Sequence, residues 1–208
     1  MRHFLKMAAN ALALLLVSPL ALLCMAEKLL SAGEAFFQLC THVVAILPGP
    51  PGLFLRRAFY CLTLQECSLE SHIGFGSLFA HRTAIVEKGV YLGPYCLIGS
   101  AHIRSNCFIG SRVSIVSGKN QHARGEDGQW LAADPSRFVQ VVIAPNVWVG
   151  EGAIIMADVA TGSLVAAGAV VSSSLPANAV VAGNPARVVK SLTAAAAAPS
   201  GGDERCAE

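Results

Sequence analysis

The sequence predicts an all-β solenoid, because aliphatic side chains recur at six-residue intervals over two long stretches of the chain. The first stretch runs from residue 85 to 115 and the second from 143 to 171, with shorter steps before Ile103 and Val159. A period of six fits neither a helix nor an alternating strand. It indicates short strands that each turn one aliphatic side chain inward and end in a Gly, Asn or Ser turn. The repeating positions are Val86, Leu92, Ile98, Ile103, Ile109, Ile115, Ile143, Val149, Ile155, Val159, Val165 and Val171.

Three such strands form one triangular coil of about 18 residues, and stacked coils pair their backbone groups. This is the pattern of the left-handed parallel β-helix. An ordinary β-sandwich with Gly-rich turns would instead show two-residue alternation at looser spacing. We therefore predict a β-helix over residues 68–190.

The N-terminal region is apolar and predicts helices. Residues 1–6 are basic, and Met7–Met25 follows with 19 residues that carry no charge. Such a segment can span a membrane or serve as a cleaved signal peptide. A second apolar segment, Leu29–Leu47, follows directly. We therefore predict that residues 1–47 form a membrane-associated helical hairpin that crosses the bilayer twice or enters one leaflet; a buried helical cap is the remaining alternative.

Basic residues flank this hairpin and predict its orientation. Arg2 and Lys6 precede it, and Arg56 and Arg57 follow it. By the positive-inside tendency, both ends and the β-helix face the cytoplasm at the inner (cytoplasmic) membrane. Residues 48–67 predict a Pro- and Gly-rich linker and a short amphipathic helix, whose arginines contact anionic headgroups or are solvated.

Composition narrows the function classes. The chain has 208 residues, enough for one domain with appendages, and is 54% hydrophobic with 13% charged residues. Its net charge of +2 offers no argument for nucleic-acid binding. The seven cysteines are odd in number and contain no Cys-x-x-Cys, so we predict free thiols in a reducing compartment.

One polar loop interrupts the repeat. The six-residue period vanishes over residues 119–138 and then resumes. A long irregular loop inside a compact repeat is functional or disordered, and insertions in a solenoid often project from its binding face. The loop contains one histidine, His122. The last segment, residues 191–208, predicts a flexible tail.

Together, the repeat, the loop with its histidine, Asn146–Gly150 and Ala182–Lys190 resemble hexapeptide-repeat acyltransferases. The resemblance is greatest to sugar O-acetyltransferases of the galactoside, maltose, nodulation-factor and capsule or colanic-acid type, and it covers residues 68–190. It implies acetyl-CoA or another acyl-CoA as cosubstrate, a saccharide acceptor and no metal. It also implies a homotrimer with active sites between subunits.

The chemistry and the resemblance both direct attention to His122. A sugar hydroxyl that attacks a thioester needs a general base, and histidine suits this role because its pKa lies near working pH. The family places its catalytic histidine in an equivalent loop, so we predict His122 as the base; the alternative is a solvated loop histidine. His81 and His102 are rivals in the repeat, and no histidine triplet at coil spacing predicts a metal site.

The resemblance also implies residues that bind the acceptor. Trp148 matches a family tryptophan that lines the catalytic groove; the alternative is a side chain packed at a coil corner. Asn120, beside the loop histidine, is predicted to bind the same substrate. Backbone N–H groups at a coil turn would stabilise the oxyanion, with Ser117 and Gly118 as candidates.

For the cosubstrate, Ala167 lies in the run that matches the family's Gly-Ala-Gly segment along the pantetheine arm. Ser172 and Ser173 lie where the family often has Thr-Lys, so one expected phosphate contact is missing. Arg187 and Lys190 match the basic positions after Gly-Asn-Pro-Ala and would pair with phosphates. Alternatively, they are ordinary charges at the start of a short C-terminal helix.

These observations lead to one hypothesis with two alternatives. The hypothesis is a membrane-associated O-acetyltransferase that transfers the acyl group directly to a lipid-linked sugar or surface polysaccharide precursor. An N-acyltransferase acting on an amino sugar or amino acid would use the same base. A non-catalytic membrane scaffold would use the solenoid to assemble partners.

Overall fold

The computed structural model describes residues 2–31 and 33–192 as three helices followed by a β-solenoid. The helices are α1 (Arg2–Leu30), α2 (Ala35–Ala45) and α3 (Gly49–Thr63). The strands are, in chain order, β1 (Glu66–Cys67), β2 (His72–Ile73), β3 (Leu78–Phe79), β4 (Ile85–Val86), β5 (Tyr91–Leu92), β6 (Leu97–Ile98), β7 (Ala101–Ile103), β8 (Phe108–Ile109), β9 (Ser114–Ile115), β10 (Val141–Ile143), β11 (Trp148–Val149), β12 (Ile154–Ile155), β13 (Leu164–Val165), β14 (Val170–Val171), β15 (Ala179–Ala182) and β16 (Arg187–Ser191). A 3₁₀ turn lies at Pro135–Arg137.

The strands form three sheets, one for each side of the coil. Sheet A has the order β1-β4-β7-β10, sheet B the order β16-β15-β13-β11-β8-β5-β2, and sheet C the order β14-β12-β9-β6-β3. All pairs are parallel except β15 with β16. The predicted parallel β-solenoid is therefore confirmed.

The core consists of the aliphatic residues that the repeat predicts. All twelve repeating positions are at most 1% exposed. They stack in register between coils, as Ile73, Leu92, Ile109, Val149 and Val165 do in sheet B. Each coil thus covers the apolar face of its neighbour, which a single coil cannot bury alone.

The irregular steps of the repeat all lie at one edge of the solenoid, where the chain passes from sheet C to sheet A. The five-residue step to Ile103 and the four-residue step to Val159 are both there. The 119–138 loop joins β9 of sheet C to β10 of sheet A and occupies the same edge. We call this edge the C–A corner.

Of the described residues, one helix, Phe4–Leu30, is long and apolar enough to cross a membrane. The predicted second arm of the hairpin, Leu29–Leu47, does not form such a helix. It contains α2, whose 11 residues extend about 16 Å, whereas a bilayer core is about 30 Å thick. The buried face of α2, which includes Phe37, packs with α3 against the first coil.

Helix α3 lies in the predicted segment but begins at Gly49, so it includes residues 49–52, which were expected to form a linker; the expected exposure of its arginines was also wrong. Arg56 and Arg57 are 2% and 5% exposed. Arg56 Nε donates to the Ile73 carbonyl at 3.0 Å, and Arg57 Nη1 donates to the Ser71 carbonyl at 3.2 Å. The first coil has no preceding coil to supply N–H donors for these carbonyls, so buried arginines satisfy them.

At the other end, a strand replaces the predicted start of a C-terminal helix. Arg187–Ser191 forms β16, which pairs antiparallel with β15 and covers the end of sheet B. An open strand edge offers unpaired backbone groups, and pairing with β16 satisfies them. Residues 193–208 of the predicted tail, including Cys206, lie outside the described residues, and the six described cysteines are free thiols.

Candidate active site

The 119–138 loop has a hydrogen-bonded structure of its own. Arg124 and Trp130 form an antiparallel bridge, and the Leu131 amide donates to the Ala123 carbonyl at 2.9 Å. Arg137 Nε donates to the Asn120 carbonyl at 3.2 Å and ties the end of the loop to its beginning. These bonds give the loop a defined conformation at the C–A corner.

His122 is exposed, and its ring orientation is defined by one backbone contact. Its Nδ1 lies 2.9 Å from the Leu131 carbonyl oxygen. A carbonyl only accepts hydrogen bonds, so Nδ1 carries the proton in the neutral ring and Nε2 keeps a lone pair. The backbone therefore selects the tautomer that a general base requires.

His122 lines a groove along the C–A corner. A cavity of about 620 Å³ is lined by Val116, Gly118, Lys119, Gln121, His122, Trp130 and Met156. A second recess of about 340 Å³ shares Gly118, Lys119 and Met156 with it, and its lining also includes Asn120, Ser172 and Ser173. We call the two together the corner groove.

The corner groove brings together four of the predicted site residues. His122, Asn120, Ser172 and Ser173 all line it. The repeat explains this placement, because Met156 donates its amide to Val171, and Val116 donates to Ile155, in successive coils. Lys119, Trp130 and Met156 also line the groove and were not predicted from the sequence.

Some of these omitted residues had a sequence signal. Lys119 is the first residue after the six-residue period stops, and Trp130 is the one tryptophan of the loop.

Gly118, a candidate oxyanion donor, already donates its amide to the Val116 carbonyl at 2.9 Å. Its N–H group is therefore occupied within the chain.

The other predicted residues lie elsewhere on the chain. Trp148 is 55% exposed on sheet B. Lys190 lies in the same row of side chains across this sheet, because Trp148 pairs with Leu164, Leu164 with Val180, and Val180 with Lys190. Arg187 is exposed on the same sheet in β16. Ala167 lies in the turn between sheets B and C, following β13. None of these four residues lines the corner groove.

The two rival histidines each contact a glutamate and do not line the corner groove, although the His81 ring packs against Phe138 at the end of the loop, with ring centroids 4.8 Å apart. His81 Nδ1 lies 2.9 Å from Glu34 Oε2, and His102 Nε2 lies 2.8 Å from Glu87 Oε1. Burial alone would raise the pKa of Glu87. Hydrogen bonds from His102 and the Ser105 amide outweigh this effect, so the pKa lies below its ordinary value. Among residues 2–31 and 33–192, no three His, Cys, Asp or Glu side chains cluster as a metal site.

Comparisons with known proteins found similar sequences and similar structures but no matching family model. No family model matches the chain. A 79-residue stretch is 42% identical to 2,3,4,5-tetrahydropyridine-2,6-dicarboxylate N-acetyltransferase of Staphylococcus aureus (strain MRSA252), over 36% of this chain. The match spans 32% of that protein, so the chain aligns with about a third of the length of the curated relatives it matches.

Two solved structures share the fold. A maltose O-acetyltransferase from Clostridium difficile 630 superposes with a TM-score of 0.64 and 19% identity, over 76% of this chain and 85% of that one. A galactoside acetyltransferase in complex with coenzyme A gives a TM-score of 0.50 and 16% identity, over 79% and 84%. The chain is therefore a hexapeptide-repeat β-solenoid with the fold of these sugar O-acetyltransferases.

Proposed function

We propose that this protein is an acyl-CoA-dependent acyltransferase that acetylates a hydroxyl group of a saccharide. The observation that carries the proposal is the His122 geometry. The Leu131 carbonyl binds Nδ1–H and leaves the Nε2 lone pair for a substrate in the corner groove. A positioned histidine of this kind typically contributes about 10²- to 10⁴-fold to the rate.

In the proposed reaction, the acceptor hydroxyl attacks the thioester carbonyl carbon while Nε2 of His122 takes its proton. The tetrahedral intermediate then collapses, and its C–S bond breaks. The imidazolium returns the proton to the departing thiolate, so the products are an acetyl ester and coenzyme A with a free thiol. Both substrates are bound together, and no acyl-enzyme or metal is needed.

The cosubstrate would lie along the corner groove beside Ser172 and Ser173, which share this groove with His122. The galactoside acetyltransferase of the same fold is a complex with coenzyme A, which supports acyl-CoA here. We propose that Trp148, Arg187, Lys190 and Ala167 complete the site from a neighbouring copy in a homotrimer. This assembly would unite the two sets of residues that one chain keeps apart.

Trp130 is our proposed acceptor platform within the groove. It lines the same cavity as His122 and is largely exposed. An indole ring offers a large flat apolar face with low conformational entropy. Replacing Trp130 with Ala should raise the KM for a sugar acceptor more than it lowers kcat, because the ring would bind substrate and transition state alike.

The N-terminal apolar helix supports a lipid-linked saccharide or surface polysaccharide precursor as acceptor, reached at the cytoplasmic face of the inner membrane. A second candidate is N-acyl transfer, since the Staphylococcus aureus relative is named an N-acetyltransferase. The same base would serve an amine. The remaining alternative, a non-catalytic scaffold, would bind no acyl-CoA.

The test uses the full-length protein with acetyl-CoA and measures thiol release with glucose, maltose and glucosamine as acceptors. His122→Asn keeps a donor for the Leu131 carbonyl but removes the base, so it should lose at least 100-fold in kcat. His102→Ala is the matched control outside the groove and should retain activity. Wild-type transfer by His122→Asn would disprove the assignment, and faster turnover of the amine than of the hydroxyls would favour N-transfer.

A further inference from the structure

We propose that the protein docks on a lipid bilayer as a monotopic protein, with α1 lying along the membrane surface instead of across it. Helix α1 has one buried stripe, whose positions recur every three or four residues: Ala13, Val17, Ala21, Cys24 and Glu27. Its other faces expose large apolar side chains such as Leu15 at 69% and Leu22 at 63%. Fewer than a quarter of the residues in the most apolar part of α1 are buried.

Helix α2 adds a second apolar stripe beside it. Phe36, Leu39, Val43 and Ile46 are all at least 46% exposed and recur at helical spacing. Exposed apolar surface of this extent marks an interaction site. The helical cap therefore presents apolar side chains from two packed helices, and its partner must be apolar as well.

Charge indicates that this partner is a membrane surface. Helix α1 carries Lys6 and Lys28, both exposed, while its one acidic residue, Glu27, is buried in a pair with Arg82. The free charges at the two ends of α1 are therefore positive. Lysines that flank an apolar helix face complement the anionic headgroups of the cytoplasmic leaflet.

Two polar contacts, which we call tethers, fix the position of α1 relative to the solenoid. Near its beginning, Asn10 Oδ1 accepts a hydrogen bond from Arg57, which also donates to the Ser71 carbonyl of the first coil. Near its end, Glu27 pairs with Arg82, which lies between β3 and β4. Both ends of the apolar segment are thus connected to the same end of the solenoid.

These tethers are incompatible with a membrane-crossing α1. Asn10 and Glu27 are 17 residues apart, which is about 26 Å along a helix, close to the roughly 30 Å core of a bilayer. A crossing helix would place them at opposite membrane faces, but Arg57 and Arg82 hold them to one rigid coil. To cross, α1 would have to give up at least one of these two tethers, and loss of the Glu27–Arg82 pair would leave buried charges uncompensated.

Docking through α1 would also set the distance between the corner groove and the membrane. The meaning of this distance for the acceptor rests on the proposed function. Helices α2 and α3 contact strands of the first coil, and α1 packs on them. The His122 loop leaves β9, two coils further on. Two coil steps of about 4.8 Å and one or two helix layers of about 10 Å each place the groove roughly 20–30 Å from the lipid. An acceptor would carry its reacting hydroxyl several sugar units from its lipid anchor.

The first test is flotation of the full chain with vesicles of phosphatidylcholine and phosphatidylglycerol. We expect the wild type to float, and to float less with phosphatidylcholine alone. Leu15→Glu/Leu22→Glu should lower the bound fraction at least tenfold. Leu97→Glu/Ile154→Glu, which changes exposed residues of sheet C, should bind like the wild type. A wild type that stays in the soluble fraction, or a sheet C variant that binds as poorly as the α1 variant, would overturn the proposal.

The second test distinguishes a surface helix from a crossing helix. Protease-cleavable tags are added to both ends of the chain, and inside-out membrane vesicles from expressing cells are digested. Cleavage of both tags from the same side supports the monotopic arrangement, and protection of the N-terminal tag alone refutes it. Neither test uses acetyl transfer, so a failure of the proposed function would leave both results interpretable.

Discussion

Replacing Arg82 with Met should weaken the attachment of α1 and α2 to the solenoid. The Arg82 and Glu27 side chains are 10% and 5% exposed, and their pair joins the helical cap to the first coil. Methionine keeps much of the apolar volume of the arginine stem but removes its charge. The Glu27 carboxylate would then retain only the Phe36 and Phe37 amide donors, at 2.8 and 3.2 Å.

The magnitude follows from the burial of the pair. Removing one partner of a buried ion pair costs about 3–5 kcal/mol, because the remaining charge is left uncompensated. Two amide donors continue to stabilise the Glu27 carboxylate, so we expect the low end, about 3 kcal/mol. The double variant Glu27→Gln/Arg82→Met has no buried charge at this position and should lose only about 1 kcal/mol.

The assay is urea unfolding in mild detergent, followed by circular dichroism at 222 nm, which reports mainly on the three helices. The free energy of unfolding is compared among the wild type, the single variant and the double variant. If Arg82→Met lies within 1 kcal/mol of the wild type, the pair does not anchor the cap. If the double variant is less stable than the single one, the cost does not come from an uncompensated charge.

Three further predictions concern the solenoid. Ile143→Ala removes a fully buried side chain, so urea unfolding should show a loss of about 2–5 kcal/mol. At Gly74 a Cβ would lie 2.5 Å from a backbone carbon of the next coil, so Gly74→Ala should cost about 1–3 kcal/mol. Gly33→Ala, with its nearest contact at 3.5 Å, should change stability by less than about 0.5 kcal/mol, and calorimetry of both glycine variants compares them. Folding lowers the pKa of Glu87, so this carboxylate stabilises the fold at pH values above its ordinary pKa, and the stabilisation is lost as the pH falls through the lowered pKa. Glu87→Gln should therefore flatten the acid side of the pH–stability profile measured by urea unfolding. An unchanged profile would contradict this.

Much of the solenoid could be predicted because its signal is local. A strand, a turn and one inward aliphatic side chain fit within six residues, so Val86, Leu92 and Ile98 already specify one coil. The structure buries each of them, as expected. The location of every irregular step at the C–A corner was not predictable, because a corner exists only after three strands have closed a coil.

The arginines of α3 show the opposite case. A helical stripe with Arg56 and Arg57 fits a membrane surface equally well from sequence alone. The unpaired carbonyls of Ile73 and Ser71 decide their position. These acceptors appear only where the stack of coils ends, and the donors come from residues 14 and 17 positions away in the chain.

For the candidate site, the sequence by itself determined where to look: the period stops at Lys119, and the interrupting loop holds His122. Only the tertiary structure decided which residues join it. Stacking in register brings Ser172 and Ser173 to the His122 groove, whereas Trp148 and Lys190 belong to another side of the triangle. The physical reason is that a six-residue repeat specifies which side chains face inward, while the side of the coil that an outward side chain occupies depends on how many strands precede it.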